Sequence, residues 1–435
     1  MRDPMRASPY ELERLMGIEA YLTDTDGFGG QLRCDVSDFV VREVSDIQAG
    51  EKGDYLIVRV EKANWETHHL LRDMARRLGI SDERIGVAGI KDKRAITTQL
   101  MSIRGITAED LEKIALPGVT LTPMGRANKD IAPGDLKGND FDIIIRDICL
   151  EPGEVAKRIA GTSAEIAAAG GVPNFFGYQR FGIKRPVTHL VGRQIVKGDT
   201  EGAAMTFIGR SFPWEKPENS AARDYVWNTR DFVKGLEMYS LNLRYERTMM
   251  HHLIERPGDY KGAFRALPGG LITMFVHAFQ SYLFNLILSR RMSLGKSLSV
   301  PGEGDVVCFT GSDGTPDPSK IELVTEKNLP DVKYLLKRRR AFLVLPIVGR
   351  DTKPTMIDEV AREVLDREQI APQDFIIKDI PELTSAGRWR EALLPVSPDM
   401  VPEENHARAR FFLRKGSYAT TVLREYMKAD PEQMD

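Results

Sequence analysis

The residues best suited to chemistry on a sugar or a base lie in one short segment, Gly89-Ile90-Lys91-Asp92-Lys93-Arg94, where a single carboxylate stands among three cations. Positive neighbours favour the ionised form of a carboxylate. A fixed, ionised carboxylate is what nucleophilic or base chemistry at a sugar carbon requires. By itself the segment reads first as a solvated turn, because charged residues ordinarily lie outside. Asn139 and Phe141 form a second constellation, two residues apart and so on one side of a strand. They offer an amide that can read a base edge and a ring that can stack on one. Without further information Phe141 reads as a core aromatic.

Three other stretches carry charge in a useful pattern. Phe175, Phe176, Tyr178 and Phe181 interleave with Gln179, Arg180, Lys184 and Arg185, a mixture that can stack bases and hold phosphates. It reads equally as a packing hinge, with Phe175 and Phe176 buried and Arg180, Lys184 and Arg185 turned to RNA. Lys333, Lys337, Arg338, Arg339 and Arg340 end an apparent helix and are either a phosphate patch or cations favoured by the helix terminus. Arg410, Arg414 and Lys415 lie on an alternating strand.

Other chemistries find little support. His68-His69 and His251-His252 are adjacent pairs that do not share a helix face, and there is no HxxxH spacing. Cys34, Cys149 and Cys308 are scattered, so neither a disulfide framework nor a CxxC site is expected. Asp24-Thr25-Asp26-Gly27 lacks the later Glu of a calcium loop and reads as a turn. No P-loop, dinucleotide fingerprint or GxSxG occurs. No metal or cofactor is expected.

The elements that must position these residues read as mixed α/β. Strands are predicted at 38–44 and 54–60, joined through the turn-rich 49–53 as an antiparallel pair. A helix over Thr67–Leu78 follows, stopped by Gly79. Short strands at 85–90 and 97–103 flank the Asp92 loop, and Thr107 starts a helix by a capping-box pattern. Strands at 119–121 and 141–148 come next, the latter apolar enough to be central, then an Ala-rich helix from Pro152 to Ala169. Further helices are predicted at 271–292, 356–365 and 418–427, with strands at 305–309 and 407–414, the last free to return to the N-terminal sheet.

The chain has 435 residues, 42 % apolar and 29 % charged, the balance of a folded protein large enough for two or three domains. Its net charge of −2 means that any nucleic-acid site must come from local clustering. No apolar run is read as approaching the ~18 residues of a membrane span, and no signal-peptide pattern opens the chain. A cytoplasmic protein is expected.

Ala88 to Gln99, AGIKDKRAITTQ, closely resembles the signature AG-x-KD-(K/R)-x-A-x-T-x-Q of the TruD family of pseudouridine synthases. Phe39-Val40-Val41-Arg42-Glu43 resembles that family's FxVxE element and Gly138-Asn139-Asp140-Phe141 its GNxF element. VPNFFGYQRFG, from Val172 to Gly182, resembles its PNYFGxQRFG stretch, and Gly416 to Glu425 its GSFATxVxRE closure. These matches fall in the family's order.

The resemblance implies a pseudouridine synthase-like catalytic domain with a mixed, mostly antiparallel sheet, 1–170 with 395–435, and a large inserted helical or mixed TRUD domain at 171–394. An insertion relative to compact bacterial members is expected at about 200–265. It implies Asp92 as the catalytic residue acting at C1′ of a uridine, usually at position 13 of tRNA, by direct attack or by assisting a glycal-type elimination. Arg33, six residues before Phe39, falls where relatives carry a basic residue, commonly Lys, paired with that aspartate. Arg keeps the charge and can bind a carboxylate bidentately, while its geometry differs. Asn139 and Phe141 are the implied uridine contacts, with Phe39, Lys91, Gln179 and Arg180 as further substrate-binding residues. The partner is tRNA, and a monomer is expected. The alternative is a catalytically silent RNA-binding protein of the same fold.

Overall fold

The computed structural model describes residues 5–312 and 314–434, and the chain divides into two compact units. One comprises 25–167 with 396–435, the other 1–24 with 168–395. Residues 1–24 were expected with the former. They group with the latter because Asn285 donates to the Met16 carbonyl, and Ser289 receives the Glu19 N–H and donates to Gly17.

The first unit holds all the strands around Asp92. They are β1 (Phe39–Val44), β2 (Tyr55–Ala63), β3 (Ile85–Val87), β4 (Ile96–Arg104), β5 (Val119–Ala127), β6 (Gly138–Ile145), β7 (Asp399–Pro402) and β8 (Ala407–Arg414). The helices are α1 (Thr67–Leu78), α2 (Ala108–Leu111), α3 (Pro152–Ala169) and α4 (Ala419–Met427). The strands make one mixed sheet in the order β7-β8-β6-β1-β4-β2-β5, with β3 on β4. Only the β1–β4 pair is parallel. The late strand β8 does return, pairing with β6 along all eight residues.

The antiparallel β1–β2 pairing is corrected: β4 lies between them. The connection, 45–54, is too long for a tight hairpin and is instead drawn across the sheet by a Gly50–Arg126 bridge. The vacated place goes to β4, whose Thr97, Gln99, Met101 and Ile103 are all buried.

Strand β2 alternates with Leu56, Val58 and Val60 inward, where they pack with Leu70, Leu71 and Met74 of α1 and with Met101 and Ile103 of β4. Glu66 caps α1 by accepting the His68 and His69 N–H groups, and Gly79 ends it at φ +66°, a left-handed position that favours glycine. Gly138 opens β6 because a Cβ there would lie 2.1 Å from the Leu413 carbonyl oxygen of β8.

The second unit is a four-stranded sheet (Arg388–Glu391, Ala341–Ile347, Val306–Thr310, Pro316–Leu323) with many helices. The region 200–265 folds as five helices, from Thr200–Gly209 to Tyr260–Arg265. Its buried Arg223 bonds Glu215 and Glu246, each at 2.9 Å. The long helix Gly269–Ser293 corrects the reading of no span-length apolar run. His277, Gln280 and Asn285 interrupt the run to the eye, yet its mean hydropathy over 18 residues reaches 1.5. That window is 72 % buried, and the polar groups bond within the unit, Gln280 to the Val348 carbonyl and Asn285 to Phe176.

Candidate active site

The register of the sheet gathers the site on one face. Lys62 of β2, Thr97 of β4, Val41 of β1, Phe141 of β6 and Phe411 of β8 form a single cross-strand row, since Lys62 pairs with Thr97, Thr97 with Val41, Val41 with Phe141 and Phe141 with Phe411. On β6, two residues from Phe141, Asn139 lies opposite Glu43 and Leu413. Side chains of successive rows along a strand point the same way every second residue. Strand order and register therefore decide the neighbours of Phe141.

Above this face runs the loop 88–95, tied to the sheet at three places. Lys62 donates to the Asp92 carbonyl at 2.8 Å and to the Trp65 carbonyl at 2.6 Å. Glu43 takes the Lys91 ammonium at 2.5 Å, both side chains being buried, and its other oxygen accepts the Leu100 N–H. Gln99 donates to the Gly89 carbonyl at 3.3 Å. From the side, Thr67 of α1 accepts the Lys91 N–H at 3.1 Å. Asn64 donates its N–H to Ala95. Asp92 is thus exposed on a loop whose backbone is held at both ends.

The Asp92 carboxylate, with 43 % of its side chain accessible, faces the buried Arg33 guanidinium at 3.4 Å. Arg33 has φ +55°, uncommon for a residue with a side chain, and its guanidinium lies 4.1 Å over the Phe39 ring. The Phe39 ring meets Phe141 edge to face at 6.2 Å, and Phe141 stacks on Phe411 at 5.5 Å. The cation is thereby fixed by an aromatic surface as well as by the carboxylate. Among the described residues, the buried Oδ1 of Asn139 has no hydrogen-bond partner in the protein. It is an acceptor left available beside the Phe141 ring.

Arg33, Phe39, Lys91, Asp92, Asn139 and Phe141, all expected from the sequence, therefore lie in one unit around one loop. None of the three cations flanking Asp92 in sequence is among its ion-pair partners: Lys91 turns inward to Glu43, Lys93 is exposed and Arg94 donates to the Cys34 carbonyl. Gln179 and Arg180 belong to the other unit, in a short turn at Tyr178–Arg180, where Arg180 donates to Ser281. Phe175 and Phe176 are buried there, as in the packing reading. Arg185 is corrected from RNA contact to interior support. It lies at 3.5 Å from both Glu215 and Glu246 and donates to the Phe207 carbonyl. Arg410 likewise pairs with Asp142, as does Arg408.

Sequence reasoning missed Lys62, Glu43 and Phe411 as parts of the site. The signal for Lys62 was present: it is the inward position after Leu56, Val58 and Val60 in an alternating strand, and it is fully buried. Burial pulls its ammonium down to about 8, against the opposing pull of the Asp92 and Glu66 carboxylates. Among the described residues no group of three or more His, Cys, Asp or Glu is arranged to hold a metal.

The family model described as tRNA pseudouridine synthase D (TruD) matches residues 15–426. A Methanosarcina barkeri protein named "Probable tRNA pseudouridine synthase D" is 48 % identical over 98 % of this chain and 99 % of its own length. A Halobacterium salinarum protein of the same name is 40 % identical over 97 % and 98 %. A crystal structure of a Methanosarcina mazei protein assigned to TruD superposes with a TM-score of 0.84 at 47 % identity, covering 98 % of this chain and 99 % of that one. The chain belongs to the TruD family of tRNA pseudouridine synthases.

Proposed function

We propose that this isomerase converts uridine 13 of tRNA to pseudouridine, with Asp92 as the nucleophilic carboxylate. The observation that carries this reading is the Asp92 carboxylate set against the buried Arg33 guanidinium, next to the rings of Phe39 and Phe141. The reaction breaks the N1–C1′ bond, turns the uracil and forms a C5–C1′ bond, and the proton on C5 leaves. N1, freed from the sugar, takes up a proton, so substrate and product are isomers. In this reading Asp92 acts at C1′, by attack or by assisting a glycal-type elimination. Arg33 keeps the carboxylate aimed.

A base undergoing this change must leave its stack. The Phe39–Phe141 surface offers it an apolar wall, and the Asn139 Oδ1 accepts from a uracil N–H. Lys91 is assigned to holding the loop, through Glu43, rather than to touching the base. Gln179 and Arg180 are assigned to the RNA strand. Incubation with tRNA carrying tritium at uridine C5 should release tritium without free uracil. A transcript with cytidine at position 13 should release none of the label that position supplied. Label released in full from that transcript would move the target elsewhere, and free uracil would indicate a nucleosidase.

A further inference from the structure

We infer that Lys62 is a positioning residue for the reaction, holding the main chain of the nucleophile at the depth where its carboxylate meets both Arg33 and the flipped base. Its ammonium reaches up from the sheet and donates to the carbonyl of Asp92 itself, and to that of Trp65 in the segment leading into α1. One cation thus ties the loop carrying the nucleophile to the β2–α1 junction.

The position is costly for a structural filler. A fully buried ammonium gives up its hydration, and an apolar side chain continuing the Leu56, Val58, Val60 row would pack there without that penalty. Its cross-strand partners Thr97 and Val119 are uncharged. The charges acting on it are Asp92 and Lys91 from the loop and Glu66 from the start of α1. Its compensation therefore comes from the catalytic loop and its anchor. The other two ties, Glu43 to Lys91 and Gln99 to Gly89, fix the loop upstream of the nucleophile. Lys62 fixes residue 92. Without it, Asp92 keeps its side chain and its Arg33 partner but loses its fixed height above the Phe141 row.

The test is a single-turnover measurement with Lys62→Met in the full chain on C5-tritiated tRNA, with tRNA Kd and circular dichroism measured alongside. The rate constant at neutral pH should fall about 10- to 100-fold, the loss expected when a reacting group is displaced by about an ångström. Kd and the folded spectrum should be unchanged. The ratio of wild-type to variant rates should shrink as pH rises through about 8, where the Lys62 ammonium loses its proton. The substrate's own titration is common to both proteins and cancels in this ratio.

An unchanged rate, or a ratio constant across that pH range, would overturn the proposal. If Lys62→Met does not fold, Lys62→Gln carries the same comparison, and loss of fold in both would assign Lys62 to structure alone. The inference rests on Asp92 as nucleophile. If that assignment were wrong Asp92→Ala would be active, whereas failure of the Lys62 proposal leaves Asp92→Ala inactive and Lys62→Met active.

Discussion

Arg33 does two jobs with one guanidinium, facing Asp92 at 3.4 Å and covering the Phe39 ring at 4.1 Å. Removing it leaves the carboxylate without this partner and uncovers the ring. We expect Arg33→Met to lower the single-turnover rate by roughly 10- to 100-fold, the equivalent of about 1.4 to 3 kcal/mol, for truncating a buried cation whose carboxylate partner is itself partly exposed. Arg33→Lys should recover part of that, because charge is kept while the planar stacking on Phe39 is lost. Asn139 is proposed to act on the base. Asn139→Leu should lower kcat/KM about 10- to 100-fold by removing a buried acceptor, with the thermal midpoint unchanged or raised because an unsatisfied buried oxygen is removed. A large fall in midpoint would instead assign Asn139 to the sheet. Both effects are read by tritium release and thermal melting.

Among the elements, β8 is the one that crosses the greatest stretch of sequence to reach its place, and it is pinned to β6 by ions as well as by the ladder. Arg408 bonds Asp142 through two nitrogens at 2.6 and 2.7 Å, and Arg410 lies at 3.5 Å. The hydrogen bonds from Arg408, opposed by burial, hold the Asp142 carboxyl below its ordinary value of 3.8. As the pH falls below that value the unfolded chain takes up a proton that the folded chain resists. The stabilisation is therefore complete above the unfolded value and is lost as pH falls through the folded one. Asp142→Asn should cost about 1 kcal/mol at neutral pH, a small figure because Arg408 is partly exposed, and should flatten the acid limb of a denaturation series. An unchanged acid limb would remove the pair from the stability of β8.

Much at this scale was legible in the sequence. Thr67–Leu78 and Pro152–Ala169 carried caps, stops and helical spacing. The strands at β6 and β8 carried apolar patterning, and Asp92, Asn139 and Phe141 stood in recognisable motifs. Pairing order was not legible. Strands β1 and β2 are adjacent in sequence, and nothing local says that β4 will come between them. The same ignorance hid Lys62 and Phe411, whose relation to Phe141 exists only through strand registers, three of them for Lys62 and one for Phe411. The cations around Asp92 were visible as a cluster, but local sequence could not show which way each side chain turns.

Over the whole molecule the charge is nearly balanced, at −2, while the substrate is a polyanion. Binding must then draw on patches. Lys333, Lys337, Arg338, Arg339 and Arg340 are all exposed at the end of the helix Leu329–Lys337, and the Arg338 guanidinium lies 4.4 Å over an exposed Tyr334 ring. Replacing Lys337, Arg338 and Arg339 together by Ala should weaken tRNA binding and reduce the slope of log K against log salt by about 2 to 3. An unchanged slope would assign these cations to the helix end alone. Such patches are proposed to set how tightly tRNA is held, whereas the isomerisation itself is ascribed to one carboxylate. The most direct test of that claim is tritium release from C5-labelled tRNA by wild type and Asp92→Ala, with tRNA binding measured in both. The account predicts equal binding and a loss of release of about 1,000-fold or more in the variant; undiminished release by Asp92→Ala would contradict it.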